Sequence, residues 1–452
     1  MRNILNKRAG MMTAVDTVVD SPASPAKGGA TDATRRHDGL WRRVVRPTLF
    51  WTHLVAGLAF GAVVFVMAIT GVALTYQKQV TAWADVRGLH GTPPMPGAER
   101  LPADSLIARG RRAADATPTN IVWRAAADRP VELVFPEGRR LFLNAYTGDV
   151  LGSGSTSTRK FFRLMTDWHR WLAMSGEGRA KGRAITGVSN LAFLVLVLSG
   201  IWLWWPKNRS RVAFRNVTSF RRGVSSKARD FNWHNVIGFW SFVPLVIVVA
   251  SGVVISYPWA SDLVYRAAGE TPPRRASASP SRGPRPEGTS TRSTEGQPVG
   301  LDAGLADGSS ATASRVSVAA ALNVALAVAA QRMPDWRTIS LALPRSDTAS
   351  FAFTLDRGTG GEPHKRAQLA LGPDGRLAKW QTFDDQSRAR QWRSVLRFAH
   401  TGEVLGLMGQ TIAGLVSLGA TLLVYTGGAL SWRRWRAWRK RRAEVSLRAG
   451  TA

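Results

Sequence analysis

The sequence predicts a membrane protein: an all-α transmembrane bundle of four helices, built as a parallel two-fold repeat, with two small α+β domains on the extracytoplasmic side. Three observations carry this. Four stretches are apolar over about 20 residues or more, the length a helix needs to cross a hydrocarbon core. Basic residues gather beside one set of span ends. The first and third spans share one internal spacing of histidine and glycine.

Residues 1–46 read as a polar, basic cytoplasmic extension, expected to be disordered and without a cleavable signal pattern. The first span occupies 47–76. An external insert follows at 77–160, with a helix-like stretch (LPADSLIARGRRAADA) and a strand pair, VELVF and RRLFLNAYTGDVLG, joined by Pro136–Gly138. An interfacial helix and the second span fill 161–206, a basic loop 207–232, and the third span 233–257. The second insert, 258–395, holds VSVAAALNVALAVAA and strand-like ISLAL, FAFTLD and AQLALGPDGRLAKW. Its stretch 270–314 is rich in Ser, Pro, Gly, Arg and Thr and reads as a disordered linker. An interfacial helix and the fourth span cover 396–432, and a basic tail 433–452. Trp51, Trp202, Trp204, Trp205, Trp233 and Trp432 at the span ends read as an interfacial belt.

Charge sets the orientation. The formal net charge is +31. The 207–232 loop carries Lys207, Arg209, Arg211, Arg215, Arg221, Arg222, Lys227 and Arg229 against Asp230 alone. The tail after the fourth span is equally basic, and Arg35, Arg36, Arg42, Arg43 and Arg46 precede the first. In a four-span protein these segments share one side, and the positive-inside rule makes it the cytoplasm. The expected location is the bacterial inner membrane with both termini cytoplasmic. Anionic lipid is an expected contact. Nucleic acid is not, because the basic stretches are short and flank spans.

The repeat brings four histidines into register. His53 is followed by Gly57 and Gly71, and His234 by Gly238 and Gly252, at the same offsets; the endings GVALTY and GVVISY then coincide. Gly187 and Gly200 match Gly414 and Gly427, with His169 and His400 upstream of each pair. Both copies enter in the same direction. His53 and His234 thus fall at the cytoplasmic starts of spans, and His169 and His400 at the external side. His37, His90 and His364 lie in polar segments.

Histidine near a membrane interface is more often a polar end group than a ligand, but four in register with a repeat shift that balance, since ionisable residues in spans are costly. The chain has no cysteine. That excludes disulfides, iron–sulfur clusters, thiolate zinc sites and covalently attached haem. Tetrahedral zinc wants three or four protein ligands. A proton relay would have to bridge about 27 Å between the two levels, at the helical rise. Haem iron needs two axial ligands, and a pair of imidazoles supplies them. The expected sites are therefore His53/His234 and His169/His400, holding two haems b. Gly57 and Gly238, one turn after a histidine, would make room for the macrocycle or serve close helix packing. Arg46 and Arg229 inside, and Arg163 and Arg170 outside, would suit propionates or snorkelling. No G-x-G-x-x-G follows a strand, so an electron donor would be a separate reductase, a quinol or a soluble carrier.

The external inserts, ending in NAYTGDVLG, resemble PepSY domains. The WTHLVAGLAFG and NWHNVIGFWS starts, the DWHRWLAM segment and the LVLSGIWLWWPK ending resemble the PepSY-associated transmembrane family, from about residue 40 to 440. That resemblance implies an iron-regulated membrane protein or ferric-siderophore reductase, with haem on His53, His169, His234 and His400 and a ferric siderophore or other ferric chelate as partner. The long 270–314 linker and the Ala-rich extension depart from the family pattern. Two other functions compete: a haem-free PepSY module that binds, regulates or modulates a peptidase, and a transporter. The latter is disfavoured by spans without an intramembrane carboxylate.

Overall fold

The computed structural model describes residues 44–204, 210–273, 316–344 and 349–449. Most of the expected N-terminal extension and of the 270–314 linker lies outside these residues, as do Trp205, Lys207 and Arg209. The segment up to Phe50 forms a unit of its own, and Trp51 onward forms another.

Among the described residues four helices are long and apolar enough to cross a membrane: α1 (Arg46–Leu74), α5 (Gly178–Trp204), α7 (Ser226–Ser256) and α11 (Gly406–Ala449). Their shared core is small, with Val197, Leu245, Val249, Val416 and Ala420 at its centre. Large apolar side chains such as Leu58, Phe65, Val243 and Leu415 point outward instead, as lipid-facing positions do. Small residues set the approach of α7 and α11: a β-carbon on Gly419 would lie 2.9 Å from the Ser241 hydroxyl. Span hydroxyls are satisfied by carbonyls of their own helices, as when Thr421 donates to Ser417 O at 3.0 Å.

Two span ends differ from expectation. The fourth helix runs through the basic tail to Ala449, 44 residues in all. Residues 429–449 contain neither Gly nor Pro, so nothing breaks the helix at the membrane face. Trp204 is not a belt residue but 7% exposed. It stacks on Phe239 at 4.5 Å between centroids and donates Nε1–H to Val217 O at 3.3 Å. The short helix α6 (Arg211–Thr218), absent from the sequence reading, folds back over it.

After α1 come α2 (Gln77–Val86), α3 (Ala103–Ala114), β1 (Asn120–Arg124), β2 (Val131–Val134), β3 (Arg140–Leu143), β4 (Val150–Gly152) and α4 (Thr156–Trp171). After α7 come α8 (Pro258–Ala267), α9 (Val318–Arg332), β5 (Thr338–Ala342), β6 (Phe351–Asp356), β7 (Arg366–Leu371), β8 (Leu377–Thr382) and α10 (Arg388–His400). The two inserts, expected as separate domains, share one antiparallel sheet ordered β4-β3-β2-β1-β5-β6-β7-β8. The joint is a β1–β5 ladder running from Asn120↔Ala342 to Arg124↔Thr338. The sequence reading had no strand at NIVWR, the segment that makes this joint.

One face of the sheet is a continuous core. Ile121, Leu133, Ile339, Leu341, Phe353 and Leu355 bury against Leu106 of α3 and Ala321, Ala325 and Ala329 of α9. Alanine lets α9 lie close to the strands. Gly110 on α3 leaves no room for a side chain against Leu133. The other face is polar. Arg124 and Arg140 each donate to one oxygen of buried Glu132, at 2.9 and 2.7 Å. Asp85 of α2 takes Arg159 of α4 and the Ser155 N–H. This network fastens α4 to the sheet. On the other side Arg366 bonds Asp356 at 2.8 Å and lies 5.4 Å from the Phe398 ring of α10. The sheet is thus tied to α4 and α10, the helices that carry His169 and His400 in their last turns.

Candidate metal centres

The four singled-out histidines meet as two pairs. His53 of α1 faces His234 of α7, ring centroids 6.4 Å apart and planes at 81°. His169 of α4 faces His400 of α10 at 6.3 Å and 59°. His53 and Gly71 are on one helix, and Gly71 touches the second pair, so the two levels are eighteen residues, about 27 Å, apart.

Every Nδ1 is engaged. His53 Nδ1 lies 2.9 Å from the Ser199 hydroxyl, and that hydroxyl donates its own proton to Leu196 O at 3.2 Å. His234 Nδ1 lies 3.0 Å from Thr426 Oγ1, which donates to Leu422 O at 2.8 Å. His169 Nδ1 meets Met67 O at 2.9 Å and Thr70 Oγ1 at 3.1 Å, with the Thr70 proton spent on Val66 O at 2.6 Å. His400 Nδ1 meets Val248 O at 2.8 Å. Carbonyls accept only, and the hydroxyl protons are already used, so each Nδ1–H is the donor. Each Nε2 therefore keeps a bare lone pair, the tautomer that ligates a metal.

The rings also share a bed. Beside each lies a glycine whose added β-carbon would stand close to Cε1: Gly200 for His53 (3.6 Å), Gly71 for His169 (3.6 Å), Gly427 for His234 (3.4 Å) and Gly252 for His400 (3.1 Å). A hydroxyl residue precedes each glycine: Ser199, Thr70, Thr426 and Ser251. The pairing of small hydroxyl residue and glycine is the signal that sequence reasoning missed, though it had used those four glycines as a ruler. Gly57 and Gly238, the glycines it put forward for macrocycle room, instead face Leu196 and Leu423 at ordinary contact distances of 3.9 and 3.7 Å. They serve helix packing.

Two-ligand sites suit a haem iron better than a free ion. Among the described residues no three His, Asp or Glu side chains converge as a metal site. With metal–nitrogen bonds of about 2.0 Å and a ring centre about 1.1 Å behind each nitrogen, two axial imidazoles place their centroids about 6.2 Å apart. Both pairs match that spacing. All four rings are half-buried rather than sealed by neighbouring side chains.

The arginines proposed beside the sites divide. Arg229 bonds Asp230 at 3.0 Å, and Arg433 reaches the same buried carboxylate at 2.8 Å. Arg163 is near the turn at Gly138, whose β-carbon would be 3.7 Å from it, so it belongs to the sheet side. Arg170 follows His169 and lies over Trp171 at 4.7 Å. Arg46 belongs to the separate unit ending at Phe50.

The four spans and the two paired levels run through one continuous segment, and the family described as PepSY-associated TM region matches it over residues 50–434. The chain belongs to that family. As a PepSY-associated membrane protein it keeps all four histidines inside the matched region. No curated protein matches it.

Proposed function

We propose that this PepSY-associated protein is a dihaem b-type oxidoreductase of the bacterial inner membrane, passing electrons to a ferric chelate such as a ferrisiderophore on the outer side. The observation that carries the reading is the double pairing of histidines at axial-ligand spacing, each with Nδ1–H committed and Nε2 free. In this reading the chain is two copies of one unit, and each pair takes one ligand from each copy. The basic loop and tail mark the cytoplasmic side, so His53/His234 is the inner pair and His169/His400 the outer.

Haem b, when bound, supplies reversible one-electron chemistry. The protein's residues do the rest. The histidines would hold the iron, and Ser199, Thr426, Thr70, Met67 O and Val248 O fix their rings and tautomer. Apolar span side chains keep water from the path. No protein acid, base or nucleophile is required by the reaction. Iron leaves because a chelator built for hard Fe³⁺ holds Fe²⁺ less well. The donor is a separate reductase, a quinol or a soluble carrier.

The test is the visible spectrum of purified protein from haem-replete cells, before and after dithionite. Sharp reduced b-type bands with about two haems per chain are expected. A colourless protein leaves the haem-free binding or regulatory module as the function.

A further inference from the structure

The cytoplasmic end of α11 carries an ordered pattern that topology does not require. The positive-inside rule accounts for basic residues beside a span. It does not ask for tryptophan among them. Residues 433–442, RRWRAWRKRR, hold seven basic side chains, two tryptophans and no carboxylate. Trp435, Trp438, Arg439 and Arg442 fall at offsets of 0, 3, 4 and 7, which places them on one face of the helix. Their side chains interlock. Arg439 lies over the Trp435 ring at 4.8 Å, and Arg442 over the Trp438 ring at 4.4 Å. Trp432 stacks on Trp435 at 4.8 Å and carries the stripe back toward the span.

Depth separates this stripe from an interfacial belt. Trp438 and Arg442 lie about 48 and 54 Å along the helix from Gly406, its outer end. A bilayer with its headgroups is only about 40–45 Å thick. The stripe therefore runs out of the lipid. Every side chain from Arg434 to Glu444 is exposed. The N-terminal extension is not its complement, because residues 1–43 hold eight Lys or Arg against four Asp. A second copy of the helix is equally basic and would repel the first. Exposed indoles and guanidiniums on one face have the composition of interface hot spots, and the charge selects an acidic partner.

We infer that this stripe docks the acidic face of a soluble one-electron carrier protein beside the inner histidine pair. Gly427 adjoins the His234 ring, and Trp435 lies eight residues, about 12 Å, further along the same helix. The inference rests on the electron-transfer reading for its purpose, and selects among the donors that reading leaves open. In that role one electron leaves the docked carrier, which is oxidised, and reduces iron at the inner pair from Fe³⁺ to Fe²⁺. No bond is made or broken and no proton moves.

Full-length protein in nanodiscs of uncharged phosphatidylcholine is immobilised and titrated by biolayer interferometry. The probes are oxidised plant-type ferredoxin, an acidic carrier, and cytochrome c, a basic one. Ferredoxin is expected to bind about tenfold or more tightly than cytochrome c, and about tenfold more weakly when NaCl rises from about 0.02 M to about 0.2 M. Equal affinity for the two carriers overturns the inference, and so does a salt-independent affinity; neither readout needs a variant to fold. Trp435→Ala with Trp438→Ala, and Arg439→Gln with Arg442→Gln, each weaken ferredoxin binding about tenfold. Arg211→Gln with Arg215→Gln removes the same charge from exposed positions of α6 and leaves the affinity unchanged. Equal weakening by the α6 variant means a diffuse field, and the inference fails. If phosphatidylglycerol in the discs abolishes binding at equal ionic strength, lipid covers the stripe and it also fails. A colourless protein that still binds ferredoxin through the stripe keeps the docking site and sinks the electron-transfer reading. A haem-loaded protein that ignores ferredoxin does the reverse.

Discussion

The imidazole of His400 lies on the backbone of Gly252, so closely that a β-carbon there would stand 3.1 Å from Cε1 and 3.0 Å from the Asn190 amide nitrogen. Asn190 cannot give way freely, because it is 7% exposed and donates to Val249 O at 3.1 Å. Gly252→Ala therefore displaces the ring. The expected outcome is loss of the outer haem with the inner one kept, read as half the pyridine haemochrome per chain. Gly57→Ala and Gly238→Ala, whose β-carbons meet leucines at ordinary distance, retain both. Equal losses from all three changes would contradict the ring-bed geometry.

Substitution of the paired histidines tests the proposed ligation and its pairing by depth. His53→Ala and His234→Ala each remove the inner haem alone, and His169→Ala and His400→Ala the outer alone. Resolved potentials or low-temperature bands distinguish the two centres. One substitution that strips both from a folded protein would show that the levels are not independent.

The Nδ1 partners supply a finer test. Ser199→Ala and Thr426→Ala remove the acceptors of His53 and His234. Losing such an orienting partner typically costs about 10- to 100-fold in metal affinity. Inner-haem retention against a haem scavenger should fall by that order, and Ser199→Thr should restore it. Unchanged retention in both alanine variants would show that these hydroxyls do not hold the two rings.

The Glu132 network predicts a stability effect away from the histidine pairs. Glu132 is 3% exposed and accepts from two arginines that are partly in solvent. Glu132→Gln leaves Arg124 and Arg140 without their anion, at a cost of about 2–4 kcal/mol, somewhat below a fully buried pair. Thermal melts should show a clear drop, and Glu132→Asp a smaller one. A neutral result would demote the network to surface decoration.

Acid sensitivity has a named carboxylate. Burial pushes Glu362 up, but the Lys365 ammonium and the Thr359 N–H and hydroxyl outweigh it, so its pKa is lowered. A carboxylate depressed by folding contributes stability above its unfolded pKa, near 4.3, and loses it as pH falls through the folded value. Wild-type melting temperature should decline below about pH 4.5, and Glu362→Gln should flatten that decline. Superimposable profiles would remove Glu362 from the account.

Much of this was legible in the residues and some was not. The spans follow from apolar length, and the histidine pairs from counting between glycines, because helical register survives in a linear sequence. Strand β1 did not show, since five residues of NIVWR carry little local signal and their partner lies in the other insert. The Nδ1 acceptors were hidden for a different reason. Span hydroxyls usually bond their own helix, and Ser199, Thr70 and Thr426 do that and accept from a histidine as well. Trp204 and the continued α11 depend on what packs nearby or on the lack of a stop, which span-end rules do not capture.

The β1–β5 joint bears on how the chain is made. Strand β1 waits, edge bare, while about two hundred further residues are synthesised before β5 exists. Neither half owns a complete histidine pair, since His53 meets His234 and His169 meets His400. Zipping of the sheet and meeting of both histidine pairs therefore each wait for the second half of the chain. Two polypeptides cut within 274–315 and co-produced should find each other through that seam, and colour would report the reunion.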